Sequence, residues 1–277
     1  VPSIEENLRQ WNEDYDWQLA GDSWSRPWGS AADQWYGCIY PRIRRFLPAS
    51  SILEIAPGFG RWAQFLIQYS DTFIGVDLAP KCVDACRRRF ADHATATFEV
   101  NDGHSLPMVS ALSVDFAFSF DSLVHAEAEA INGYLTELAR VLAPQGVAFV
   151  HHSNFGSYQR SSGALAPFQH SFDRLPPDVR KALARVGIYR SISWRAESVS
   201  ASHFAELCQK AGLRCVGQEL INWAGGVVLL DSFSIVTRPG SPWDHANLVV
   251  KNRLFRSEAR SIRRSSSIHY TSSPTRI

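Results

Sequence analysis

From residue 51 onward, short apolar runs alternate with stretches patterned as helices, and that rhythm narrows the fold more than anything else in the chain. Residues 51–56, 72–78, 96–102, 113–120 and 146–154 read as strands. Between them 61–69, 81–91 and 130–142 place apolar residues three and four apart, the mark of a helix with one buried face. In the last of these, Ile131, Leu135, Leu138 and Leu142 step round one side. A helix over 202–212 and two strands within 214–222 and 228–238 close the series. Strands joined by helices build a parallel sheet covered on both faces. The predicted class is therefore α/β, a Rossmann-like doubly wound sheet of seven strands. Around it the chain divides into an N-terminal helical and aromatic arm (1–50), a core (51–154), an irregular insertion (155–200), a closing helix and strands (201–250) and a basic tail (251–277). The insertion breaks the rhythm with Pro167, Pro176 and Pro177 and holds one predicted helix, 176–187.

The first strand carries the most informative turn. Ile52-Leu53-Glu54-Ile55 breaks into Ala56-Pro57-Gly58-Phe59-Gly60 and resumes as a helix. Glycine has no Cβ and tolerates positive φ, so backbone here approaches a ligand closely. In open α/β sheets that place, at the carboxyl end of a strand, is where ligands bind. A dinucleotide fits poorly. Glu54 would repel a pyrophosphate but suits an ammonium group, and Pro57 lacks an N–H that a phosphate cradle would use. Asp77, 23 residues after Glu54 at the end of the second strand, is placed to accept from both hydroxyls of a ribose. Asn101-Asp102-Gly103 follows the third strand, where Asp102 would take an adenine amino group. Each acid alone reads as a loop or capping residue. The three in order describe an adenosine with a charged amino-acid tail.

This arrangement resembles the class I S-adenosylmethionine-dependent methyltransferases, over roughly residues 50–155 and through LEIAPGFG, GVDLAP and NDG. Ala56 stands where the family's first glycine is usual. The resemblance implies an S-adenosylmethionine site formed by Glu54, Ala56, Gly58, Gly60, Asp77, Leu78, Asn101, Asp102, Gly103 and Phe120, and a sheet whose last strand is reversed. The wider sequence also resembles bacterial sugar and polysaccharide O-methyltransferases of the methylmannose-polysaccharide type. That likeness rests on WGxxxxQWYGxIYPRIRRFLP, FDSLVHAE, HHSN, DSFSIVTRPGSPW and VVKNRLFRSEA. It implies a saccharide hydroxyl as acceptor. The rival readings are a natural-product O- or N-methyltransferase with a small acceptor, and a protein that binds the cofactor without catalysis.

A hydroxyl acceptor needs a base near neutrality, which histidine supplies. His151 and His152 end the fifth strand on opposite faces. Asp121 and His125 follow the fourth. The preferred base is His152, with His125 and His151 as alternatives and Asp121 to orient the base, hold the acceptor or bind a metal. Asp121, His125 and His152 together would suit a divalent ion such as Mg2+. Trp24, Trp28, Trp35 and Tyr36 of the arm are candidate sugar platforms, with Trp28 and Tyr36 foremost. Asn154 and Arg195 are candidate acceptor ligands, and the 155–200 insertion is the expected acceptor lid.

Bulk properties exclude other classes. The chain has 28 basic and 27 acidic residues, so no broad field attracts nucleic acid. No run of about 18 apolar residues suggests a membrane span, and the N-terminal stretch lacks a signal-peptide pattern. Five cysteines in no metal or disulfide spacing point to packing thiols and a cytoplasmic setting. A homo-oligomer is left open. The tail from Lys251 carries seven Lys/Arg and one acid, which reads as a solvated helix or as a contact to a phosphate or acidic surface.

Overall fold

The computed structural model describes residues 3–158, 194–223 and 228–269, with positions 176, 179 and 225. Most of the 155–200 insertion, including its predicted helix, lies outside the described residues. Eight strands form one sheet: β1 Ala49–Ile55, β2 Ser70–Asp77, β3 Ala96–Val100, β4 Val114–Ser119, β5 Leu142–Ser153, β6 Arg214–Ile221, β7 Asp231–Thr237 and β8 Leu248–Asn252. Their order is β3-β2-β1-β4-β5-β7-β6-β8. All neighbours are parallel except β7, which runs against both β5 and β6. The order reverses between β1 and β4, so the carboxyl ends of β1, β2 and β4 open side by side.

The helices are α1 Ile4–Arg9, α2 Ala31–Gln34, α3 Tyr40–Ile43, α4 Ala63–Leu66, α5 Pro80–Arg89, α6 Ala128–Val141, α7 Ala201–Lys210 and α8 Phe255–His269. In α6 the residues Ile131, Leu135 and Leu138 are buried, as their spacing predicts. α4 is shorter than expected, with one tight turn at Ile67–Tyr69 completing it. The expected seven strands are eight. β8 pairs parallel with β6 at the sheet edge, where a solvated tail was expected from Lys251.

Period-two alternation divides the core into two layers. Ile52, Phe116, Phe118, Phe149 and Phe233 share a layer with the arm tryptophans Trp28 and Trp35 and with Trp62, which precedes α4. Leu53, Ile55, Ala148, Val150 and Val236 face α6 and α7. Glu54 therefore sits on the tryptophan side. No helix among the described residues is long and apolar enough to cross a membrane.

Candidate active site

The loops leaving β1, β2 and β4 floor a cleft of about 900 Å3, roofed by the N-terminal arm. Ala56 and Gly58 of the first loop take positive φ, 58° and 59°. The Gly58 N–H donates to Asp77 Oδ2 at 3.0 Å and the Ala79 N–H to Asp77 Oδ1 at 2.9 Å. Ser122 Oγ donates to the Ala56 carbonyl at 2.8 Å, which ties the third loop to the first. Gly60 has another role than the one expected. A Cβ there would lie 2.4 Å from Phe90, so this glycine permits packing of the turn on α5.

Glu54 is buried directly before the turn, and its Oε2 has no hydrogen-bond partner. Burial pushes its carboxyl up to about 8, against the pull of Arg61. Asp77 is raised to about 6 by burial, against its two backbone donors. Each Asp77 oxygen accepts one N–H and so keeps a lone pair. Asp77, Leu78, Gly103 and Phe120 line the cleft, and Glu54 is buried outside its lining. Asn101 supports the third-strand loop from beneath, through Tyr134 and the Ser105 carbonyl. Asp102 is displaced from its expected role. It accepts from the His104 and Ser105 N–H groups and the Ser105 hydroxyl, half-exposed, and does not line the cleft.

The histidines separate cleanly. His152 faces α7, stacked on Phe204 at 3.9 Å, with its ring nitrogens on Ser153 O and Ser234 Oγ. Burial lowers it to about 3. It is on the wrong side of the sheet for the cleft, which corrects the expected base. His151 faces the cleft side among Phe120, Trp223 and Phe233. The Asp121 N–H donates to its Nδ1 at 3.0 Å, so the proton rests on Nε2, which lies 3.4 Å from Asp231. His151 has no lone pair to spare.

His125 lines the cleft itself. Its Nδ1 bonds the Trp194 carbonyl. A carbonyl only accepts, so Nδ1 carries the proton and the neutral ring keeps its lone pair on Nε2. Burial, with Arg195 nearby, lowers the ring to about 4. At neutral pH it is an unprotonated imidazole in the cleft wall.

Asp121 takes a positive φ of 64° and pairs with Arg61 at 2.8 Å. With that carboxylate engaged and His152 on the other face, Asp121, His125 and His152 do not converge on a metal position. Among the described residues no cluster of three or more such ligands forms. Trp28 is 1% exposed in the core and Tyr36 57% exposed on the outside, and neither lines the cleft. Asn154 is spent on Leu229, Ser157 and Ala201. Arg195 does reach the cleft, gripping Asp231 through Nε at 2.6 Å and Nη2 at 2.8 Å. Burial would raise Asp231, but Arg195 and His151 overcome it and hold the carboxyl below its usual range.

Sequence reasoning missed Arg61 and the true roof of the cleft, Trp11, Tyr15 and Trp17, while Trp24 does belong to it, and it missed Asp231, buried outside the lining as the partner of Arg195. Asp231 left a signal, a lone acid heading an apolar strand, since a buried charge requires a partner. Trp17 stacks on Phe59 at 4.6 Å, and Trp11 meets His125 at 5.3 Å and Trp194 at 5.7 Å.

Residues 52–146, from β1 into β5, match the family model described as a methyltransferase domain. The chain carries a methyltransferase domain. The enzyme is an S-adenosylmethionine-dependent methyltransferase, and the cofactor is S-adenosylmethionine. No curated protein matches the methyltransferase in sequence. Solved structures share its fold. A chain of the Haloferax volcanii complex with the Trm112 methyltransferase activator is 18% identical, covering 80% of this chain and 96% of that one at a TM-score of 0.52. A Methanosarcina mazei protein described as a SAM-dependent methyltransferase is 18% identical, covering 72% and 98% at 0.51. PKMT2 from Rickettsia typhi, in complex with AdoHcy, is 14% identical, covering 74% and 54% at 0.51.

Proposed function

We propose that this methyltransferase acts on a saccharide hydroxyl, with His125 as general base. The observation that carries the proposal is the tautomer of His125, a neutral ring in the cleft wall whose free lone pair is fixed on Nε2 by the Trp194 carbonyl. When bound, S-adenosylmethionine supplies an electrophilic methyl group on a sulfonium. Glu54 would hold its ammonium group, the unpaired buried oxygen finding a charged donor there. Asp77 would use its remaining lone pairs on the ribose hydroxyls. Leu78, Gly103 and Phe120 would flank the adenine, with Ala56 and Gly58 bringing backbone close.

An alcohol is too weak an acid to ionise at pH 7, so its proton must leave as the oxygen attacks. His125 Nε2 would take it and pass it to solvent. Asp231, Arg195 and His151 are not placed to react. They brace the Asp121 loop through the His151 ring, and Asp121 in turn anchors Arg61. The roof of Trp11, Tyr15, Trp17 and Trp24 offers flat apolar rings of the kind that stack on the faces of sugars. All five cysteines are free, in keeping with a cytoplasmic enzyme.

A second reading, O- or N-methylation of a small aromatic or amine, is favoured by how closely those rings enclose the cleft. Transfer of label from radioactive S-adenosylmethionine to oligosaccharides, phenols and amines, with magnesium or a chelator, separates the two. Label on a saccharide is the expected result. Label on phenols or amines alone would replace the first reading by the second.

A further inference from the structure

The helix α8 has two faces. Phe255, Ala259, Ile262 and Ser266 turn inward. Phe255 and Ala259 are buried, Ile262 packs against Gly37, and Ser266 Oγ donates to Asp33 at 2.5 Å. The adjoining face presents Arg256, Arg260, Arg263 and Arg264, which with Pro27 and Ser267 line a groove of about 400 Å3. Residues at such spacing are neighbours on a helix, and like charges there oppose its formation. The one acid on α8, Glu258, is turned away to Arg42 at 2.9 Å. Among the described residues no carboxylate pairs with any of the four arginines. Arg256 is half-buried, and burial together with the repulsion of Arg260 lowers its pKa.

Four guanidinium groups with no carboxylate partner among the described residues, gathered in one concavity of a chain of net charge +1, repel one another, and an anion bound between them would relieve that repulsion. We propose that this groove binds a compact ligand bearing two adjacent phosphoryl groups. A guanidinium pairs two oxygens in one plane, and four of them match two phosphoryl groups better than one. The wall at Pro27 limits the groove to something compact. An extended polyanion such as nucleic acid would need a broader basic field than a nearly neutral chain provides. The groove is distinct from the methyl-transfer cleft. Trp28, Trp223 and Phe255 stand between them, packed at 5.2 and 5.7 Å.

The probe is inorganic pyrophosphate, titrated calorimetrically into the full chain at low and physiological salt. Saturable one-to-one binding is expected, at least tenfold tighter than orthophosphate. In the double variant Arg260→Gln, Arg264→Gln it should weaken at least tenfold, while S-adenosylhomocysteine binding stays unchanged. Both residues are exposed, and the unchanged nucleoside binding shows that the variant is folded. Vesicles carrying a diphosphate-headed lipid distinguish the source. Retention that pyrophosphate displaces indicates a lipid-borne ligand, and no retention indicates a free one. The proposal falls if pyrophosphate shows no saturable binding, if the variant binds it as well as the parent, or if duplex DNA binds where pyrophosphate does not.

Discussion

At the scale of single residues, the places of Glu54 and Asp77 at strand ends were legible and the side each histidine faces was not. Glu54 and Asp77 stand at strand ends, where position along the chain fixes their place in space. For His151 and His152 alternation says that they part, but only the packing of Phe204 on one and Trp223 on the other says which meets the cleft. Glu54 yields a prediction with a definite sign. Its folded pKa of about 8 lies above the unfolded value, so the folded chain holds a proton that must leave when an ammonium binds. Calorimetry of S-adenosylhomocysteine in buffers of different ionisation heat should show proton release near pH 7 and affinity falling below pH 8. Glu54→Gln should abolish the release and weaken binding about tenfold or more. Without ligand, Glu54 makes the chain less stable as pH rises from about 4.5 to 8, by up to about 1.4 kcal/mol per pH unit, and the Gln variant should lose that slope. His125 has the opposite sign. Its folded pKa of about 4 lies below the unfolded one, so its share of stability is present above pH 6.5 and lost as pH falls towards 4. Turnover should be flat through neutrality with an acid limb near 4. His125→Asn should cut kcat roughly 100-fold or more with the cofactor Kd little changed. A limb near 6.5 would argue against His125 as the base.

At the scale of elements, the N-terminal arm acts as part of the site. Its helix α1 is closed by a capping box between Ser3 and Glu6. Beyond it Asn7 donates to the His125 carbonyl at 3.0 Å and accepts from Trp11 Nε1 at 3.2 Å. The arm thus holds the loop that carries His125. The sequence announced this arm by its tryptophans but could not rank them. Trp28 and Trp35 differ from Trp11 and Trp17 in what they pack against, and no local pattern records that. β8 escaped for a similar reason, since three apolar residues before Lys251 form a strand only because β6 offers an edge. Trp11→Ala removes ring contacts to Tyr15, Trp17, His125 and Trp194. The KM for the acceptor should rise about tenfold, equivalent to about 1.4 kcal/mol, with a smaller change in cofactor Kd. An equal loss in both would make Trp11 a general prop of the cleft instead of an acceptor platform.

At the scale of the whole molecule, the question is what joins the arm, the sheet edge and α8 into one body. The alternation of strands and helices made the core of the fold legible, because each element buries a face with its own period. The joints between distant segments have no such period. The chief joint is Arg42, on α3. Its guanidinium donates to both carboxylate oxygens of Glu219 on β6, at 2.8 Å each, and to Glu258 on α8 at 2.9 and 3.0 Å. It also donates to the Cys38 carbonyl at 2.7 Å and lies 5.7 and 5.5 Å from the Phe233 and Phe255 rings. With 17% of its side chain exposed, Arg42 is largely desolvated, which would lower its pKa, but the hydrogen bonds it donates to the two carboxylates outweigh this and raise it. Removing one partner from such a cluster leaves the others charged and unpaired, which costs more than the cluster itself contributes. Arg42→Ala should therefore lower Tm by roughly 5–15 °C, corresponding to about 2–4 kcal/mol. The triple variant Arg42→Met, Glu219→Leu, Glu258→Leu removes every charge together and should recover most of that loss. If the triple variant melts as low as Arg42→Ala, the ion cluster is itself the source of the stability, and the three segments are held by charge more than by the apolar surface around it.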